Sequence, residues 1–537
     1  MNVNHSDMTV SGNRVGYWPL RSDSRDMTAR ARHGEAHNIK FEDGASFDGA
    51  TSVIGLPGLE ETDGSKPFSL SLEFEVNDER GFLPGGLCSR YSQERMEGWH
   101  LSVLSQPGVT TTQANWRNLQ FGWSTGKAED VWRDWGSPGN SRLICSLCVH
   151  DGGLYAGVFD DEKDGRGHVY RLDEDKGWID CGSPDDSNSA WSMAEFNGRL
   201  YVGTMRYKAS GSALPDSPNV SPGGRIFRYE GGQRWTLFGE LPIEGSDSIG
   251  ALTVYDGRLI AMSFYPYGMF AFDADGRCEP LGAPGPEETT RTMTLTPYRG
   301  RLYVGANQSA GVWSRSLHEP WINSSELANC DQVYCFTVYH NELLIGIWPE
   351  ARMLQYEGGT DWSDYGLMGE EKEVMGVSVY NGKLYGGTLP GGHVYRYSGD
   401  RSWERIGVLE PPNPDMMYRR VWSMAVYNGM LFAGTLPSGK VWSLKNDPLA
   451  TYDHGLSPGW HRAAITYDQN VLALYLDGRL VAESAFAQGD GALTPDQTLL
   501  ELGNGPQCRF SGRIREVEIY DGALTSGDIV RLHSSEV

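Results

Sequence analysis

The chain has 537 residues, 68 of them glycine and 27 proline, with 11% aromatic residues and a formal charge of −24 at neutral pH. That length leaves room for two or three buried cores, and the wealth of turn formers and aromatics points to many short strands in place of long helices. The charge excludes nucleic acid and an anionic membrane as electrostatic partners, because the long-range field repels both, so an anionic ligand has to be met by a local basic patch.

The opening residues, MNVNHSDMTV, lack the apolar segment of a secretory signal, and no run of about eighteen apolar residues occurs later in the chain. At face value this implies a cytoplasmic protein, or a secreted or periplasmic one whose signal has been removed. Residues 1–126 then carry GYWPL, FSLSLEFEV, GWHLSVL and NLQFGWSTG, with the apolar–polar alternation of half-buried antiparallel strands. Next comes AEDVWRDWGSPG, a strand signal with no partner strands near it in the chain. Cys145 and Cys148 have CxxC spacing but fall in a stretch that reads as a strand, where they point to opposite faces; they read as buried thiols and not as zinc ligands.

From residue 143 a unit of strand, turn and strand recurs as CVHDGGLYAG, AEFNGRLYVG, TVYDGRLIAM, TPYRGRLYVG, TVYHNELLIG, SVYNGKLYGG and AVYNGMLFAG. The repeats stand about 40–60 residues apart, which suits four short strands each. Third strands come next (HVYRL, RIFRY, HVYRY, KVWSL), and then fourth strands marked by Trp and a Gly four residues later, beginning at Trp178, Trp235, Trp362 and Trp403. The seventh unit lacks a fourth strand, and Trp132 with Gly136 has the missing spacing. The expectation is an all-β chain with a seven-bladed β-propeller over 127–448, whose last blade is completed by residues 130–137 so that no edge stays open.

Residues 449–537 change character again, with GWHRAAITYDQNVLALYLDGRLVAE, a hairpin turn at LDGR, and FSGRIREVEIYDGALTSGDIVRL. Taken with the motifs of 12–126, these resemble the laminin G-like, concanavalin A-like jelly roll in the order of that family. The resemblance implies a β-sandwich cut into halves at 1–126 and 449–537, with the propeller inserted between them. Ring closure near residues 130 and 446 supplies the neighbouring ends that an insertion needs. Relatives of this jelly roll often bind sugars, sometimes with calcium, which singles out Asp23 and Asp26 as candidates for a structural calcium ion, although no ligand loop is complete. No other cofactor is implied.

In a propeller the first and third strands of each blade begin on one face. The third-strand column is His168, Arg225, Gly268, Gly311, Arg352, His393 and Lys440, mostly basic. Two innermost-strand columns read Leu143, Ser189, Ser248, Arg291, Gln332, Glu373, Arg420, and Cys145, Trp191, Gly250, Met293, Tyr334, Met375, Trp422. Loops between second and third strands add Arg206, Tyr207, Trp348 and Glu350, and the long loop 204–224 is expected to overhang the mouth. Guanidinium groups clamp carboxylates and sulfates, and aromatic faces stack on sugar rings. The plainer reading is that bases at strand ends are solvated and that Trp191, Met293 and Trp422 pack between blades.

The ring resembles carbohydrate-active propeller enzymes, among them polysaccharide lyases and glycoside hydrolases acting on uronate-containing glycans. The sialidase pattern Ser-x-Asp-x-Gly-x-x-Trp is absent. The resemblance and the basic, aromatic columns together imply an enzyme acting on an anionic oligosaccharide at the propeller mouth. Arg206, Arg225, Arg291, Arg352, Arg420, Lys440, Trp191, Trp348, Trp422 and Glu350 would hold the substrate; His168, His393 or Tyr334 would remove the C5 proton. The few carboxylates of the ring, Glu350, Glu373, Asp160 and Asp331, favour a lyase over a glycoside hydrolase, which needs a pair of them. The alternative is a non-catalytic glycan-binding or protein-interaction scaffold.

Overall fold

Alternating strands joined by two-residue turns pair with their neighbours, and the turn residues are those the geometry demands: Asn197 and Gly198 both adopt positive φ, 49° and 67°, as a type I′ hairpin requires. The computed structural model describes residues 12–76, 81–125, 130–212, 214–264, 266–285, 291–307, 311–486 and 498–534. The opening segment read for a signal and the expected boundary at 126–127 lie outside these residues. The chain is all-β apart from short helical turns and a helix at Ser526–Ser534.

The repeats form antiparallel four-stranded units, of which the first runs Leu143–His150, Gly153–Phe159, Val169–Asp173 and Gly177–Asp180. The later units begin with Ser189–Phe196, Ala251–Tyr255, Arg291–Tyr298, Gln332–Tyr339, Glu373–Tyr380 and Arg420–Tyr427. These innermost strands lie side by side in chain order, and the last abuts the first. In the last unit the fourth strand is Trp132–Asp134, with Trp132 opposite Leu444 and Asp134 opposite Trp442. Trp132 Nε1 also donates to Ile406 O of the preceding unit at 3.1 Å. The early strand therefore occupies the position the repeat leaves open, and an edge that would expose unpaired backbone is covered.

The two flanks share two sheets. One is ordered Lys40–Phe41, Ala45–Asp48, Ser511–Asp521, Phe68–Val76, Gly459–Tyr467, Val471–Leu476, Arg479–Ala485; the other Glu35–His37, Val53–Leu56, Leu500–Leu502, Gly85–Ser92, Glu97–Gln106, Asn115–Ser124, Leu449–Tyr452. Leu70, Phe74, Trp99, Phe121, Ile465, Leu474 and Ile514 meet between them in one core drawn from both ends of the chain.

The hairpin joining Glu97–Gln106 to Asn115–Ser124 leaves this sandwich and enters the axis of the ring. Gly108 O accepts from Phe336 N (3.0 Å) and from Thr294 Oγ1 (3.1 Å), Thr111 Oγ1 donates to Cys145 O (3.2 Å), and Thr112 Oγ1 donates to Met193 O (2.8 Å). Gln113 donates to Glu195 O (3.1 Å) and accepts from Val254 N (2.9 Å), while Asn115 and Gln106 accept from Val426 N and Val379 N. A run of small hydroxyl and amide groups thus satisfies polar groups of the innermost strands around the axis, which an apolar tip would have left buried and unpaired.

Candidate functional site at the axial cavity

The site begins with an irregularity repeated in the innermost strands. Their pairing shifts by one residue between 144 and 146, 190 and 192, 292 and 294, 333 and 335, 374 and 376, and 421 and 423. The extra residue of each bulge is Cys145, Trp191, Met293, Tyr334, Met375 or Trp422. A bulge re-aims its side chain and leaves the ladder locally unpaired, and here the re-aimed side chains meet in one cluster at the axis. In the remaining unit Gly250 holds the position, and a side chain there would collide with the ring of Phe264.

Above the bulges lies a cavity of about 360 Å³, lined by Trp191, Arg291, Met293, Tyr334, Arg420 and Trp422 among others, with a smaller one of about 160 Å³ beside it, lined by Trp348, Glu373 and Tyr418 and sharing Gln332, Tyr334 and Arg420. The Trp191 and Trp422 rings stand 5.6 Å apart at 70°, and Tyr334 meets Trp422 edge-on at 6.2 Å. The Arg420 guanidinium lies 5.6 Å from the Trp422 ring centroid and donates to Ser212 Oγ at 3.1 Å. Asn307 Nδ2 donates to Tyr334 Oη at 3.2 Å.

Four buried polar atoms on these walls have no hydrogen-bond partner among the described residues: Trp191 Nε1, Asn307 Oδ1, Glu373 Oε1 and Arg420 Nε. Trp191, Glu373 and Arg420 are 1%, 3% and 7% exposed. Each unsatisfied group of this kind costs about 1–3 kcal/mol, so four around one space mark a place built for a polar occupant. Burial drives the Glu373 carboxyl up to about 8, and the nearby Arg420 charge offsets this only in part. Glu373 is therefore a proton-bearing acid at neutral pH; it lines the smaller cavity beside Arg420, which also lines the larger one with Lys208 and Arg291.

The first part of the 204–224 loop borders this cavity, which is not the cleft of His168, Arg225, Arg352 and His393 that it was expected to overhang. Tyr207, Lys208 and Ser212 line the cavity; Tyr207 lies 4.6 Å from Trp191 and is tied to Asn188 through its own backbone N–H (2.7 Å) and C=O (3.0 Å). Arg206 stands at the start of the loop, its N–H bonded to Asp247 O at 2.8 Å, and is not among the lining residues.

The third-strand basic column does not converge on this space. His168 Nδ1 is 2.9 Å from Asp180, Arg225 Nε 2.9 Å from Glu240, Arg352 Nη1 2.7 Å from Asp364 and Nη2 3.1 Å from Glu350, and Lys440 Nζ 2.6 Å from Asp134. His393 Nδ1 lies 3.0 Å from Glu371 Oε1. Four of these partners, Asp180, Glu240, Asp364 and Asp134, come from the fourth strand of the same unit, so the column is paired across third and fourth strands. Of the expected site residues the structure brings together Tyr334, Arg291, Arg420, Trp191 and Trp422, with Trp348 at the adjoining cavity; Glu350 is turned to Arg352. Lys208, Ser212 and Asn307 were not picked out from sequence, because a residue in a long loop or at a strand end carries no periodic signal.

Asp26, considered for calcium, has its two oxygens occupied by Tyr17 N, Thr28 N, Thr28 Oγ1 and Arg32 N at 2.9–3.1 Å, and this holds its carboxyl below the usual range; it clamps its own loop. Asp23 caps Arg25 N at 3.0 Å.

Residues 450–530 match the family model of the concanavalin A-like lectin/glucanases superfamily. No curated protein matches the chain. Solved structures similar to it include a streptogramin B lyase (10% identity, 59% of this chain and 98% of that one, TM-score 0.47) and YCF48 bound to D1 peptide (9%, 60% and 100%, 0.42). BamB from Moraxella catarrhalis is a third (12%, 56% and 83%, 0.36).

Proposed function

We propose that the chain is a seven-bladed propeller inserted into a laminin G-like sandwich, and that it acts on an anionic, uronate-containing oligosaccharide in the axial cavity, as a lyase. The observation that carries this reading is the meeting of Arg291, Arg420, Trp191, Trp422 and a protonated Glu373 around unpartnered polar atoms, in a chain of net charge −24. Two guanidiniums suit a carboxylate and indole faces suit a sugar ring.

In the elimination, Arg291 and Arg420 neutralise the uronate carboxylate and so acidify the proton on C5. Tyr334, whose Oη accepts from the Asn307 amide, gives up its own proton to solvent and then takes the C5 proton; the electron pair forms the C4=C5 double bond, the C4–O bond breaks, and Glu373 delivers its proton to the departing oxygen. A hydrolase would need a second carboxylate, and Glu373 is the only one among the described residues lining the two cavities.

Incubation with a panel of uronate glycans tests the reading through the ultraviolet absorbance of the new conjugated double bond. Appearance of that band, and its loss in Tyr334→Phe, is expected. New reducing ends without the band would point to hydrolysis, and calorimetric binding without either would point to the scaffold.

A further inference from the structure

We infer that the sandwich hairpin seals the propeller axis from below, so that the cavity is a blind pocket with a single mouth and takes the end of a glycan chain, not an internal stretch. This deepens the proposed function and rests on it for the identity of the sugar.

The hairpin and the cavity meet at the bulges. Thr111 Oγ1 donates to the carbonyls of Cys145 (3.2 Å) and Trp191 (3.5 Å), and Thr110 Oγ1 to those of Met375 and Trp422 (2.5 and 3.1 Å). Those four carbonyls belong to bulged residues, which a regular ladder cannot satisfy. Trp191 and Trp422, whose side chains are walls of the cavity, thus have their backbones held by the hairpin tip. Gly108 completes the fit: it has φ +78°, and a side chain there would lie 2.9 Å from Leu295 O and 3.1 Å from Phe336 Cβ. Thr110, Thr111 and Thr112 are each 1% exposed and Gln113 is fully buried, which leaves no passage along the hairpin.

A polymer can cross a groove or thread an open channel, but in a pocket of about 360 Å³ with a closed floor only its terminal units fit. Recognition then counts chain ends. Units beyond the second or third protrude from the mouth and add little.

The full-length Tyr334→Phe chain, which keeps the pocket but does not cleave, is titrated calorimetrically with galacturonate oligomers of increasing length and with the polymer, at equal concentration of chain ends. Affinity is expected to level off by the trimer, with longer chains within about threefold of it; a continued rise of about tenfold or more from trimer to octamer would overturn the inference. If no oligomer binds, the uronate reading fails, and the seal is judged on the same protein by maleimide labelling and peptide mapping. Cys278, half-exposed, is the reference; Cys145 and Cys148 sit against the hairpin, fully buried, with Cys148 Sγ 3.4 Å from Gln113 O. The sealed axis predicts both to react at least about a hundredfold more slowly than Cys278, since a buried thiol stays protonated. Labelling of Cys148, whose Sγ touches the hairpin, at the rate of Cys278 in the folded chain means an open axis.

Discussion

Two rows of residues repeat around the same ring and differ in what they do with their polarity. The third-strand row, from His168 to Lys440, is more basic, yet each base meets a carboxylate close by, four of them on the neighbouring fourth strand. The innermost row holds only Arg291, Arg420 and Glu373 as charged or acidic groups, but it closes on a common axis, where four buried polar atoms lack partners among the described residues. Charge density is a poor guide to a site. What distinguishes the axis is that four such atoms face one space, whereas in the outer row only His393 Nδ1 is buried without a hydrogen bond among the described residues; the bulges create the convergence by turning one extra residue per strand inward.

The contrast would be broken most sharply at Arg420. Arg420→Met should weaken uronate binding by about 2–3 kcal/mol, because it removes a charged donor from a buried contact, while the melting temperature stays close to that of the parent. Calorimetry on the variant checks this. Next is the seal: Gln113→Leu leaves Val254 N and Glu195 O unpaired in the axis and should lower unfolding free energy by about 2 kcal/mol, read from urea denaturation.

Glu373 should show itself in the pH dependence of stability. Its carboxyl titrates at about 8 in the folded chain against 4.5 for the unperturbed group, so between these values the unfolded chain has lost a proton that the folded one keeps. Stability from this group therefore falls as pH rises through that window, by about 1.4 kcal/mol per pH unit. Glu373→Gln should flatten that slope and be more stable than the parent at the alkaline end. The smallest effect belongs to the outer row: Arg352→Ala and Lys440→Ala remove largely solvent-facing ion pairs and should each cost no more than about 1 kcal/mol of stability, leaving ligand affinity unchanged. A large loss of binding in either would move the site outward.

Much of this architecture was legible in the sequence because it is periodic. The Trp132 strand could be assigned to the last unit from its Trp-to-Gly spacing alone, and the axial columns came from aligning the repeats. Pairing partners were not legible: Asp180, Glu240, Asp364 and Asp134 belong to fourth strands, and in two of the units bulges shift the register, so no fixed offset links these carboxylates to their bases. Nor was the hairpin, since QPGVTTTQAN sits among sandwich strands and reads as an ordinary polar turn. Its one signal is the unbroken run Thr110, Thr111, Thr112, Gln113 between two apolar strands, more hydrogen-bonding capacity than an exposed turn needs. The protonation of Glu373 depends on burial, which only the closed ring reveals.

The most direct test of the axial site is a crystal structure of the chain soaked with a galacturonate disaccharide. Its carboxylate is expected against Arg420 and Arg291, with a sugar ring resting on the wall that Trp191 and Trp422 form together and the hairpin at Thr110 and Thr111 unmoved beneath it. A disaccharide bound instead along the His168–Lys440 row, or on the sandwich with the axis empty, would contradict it.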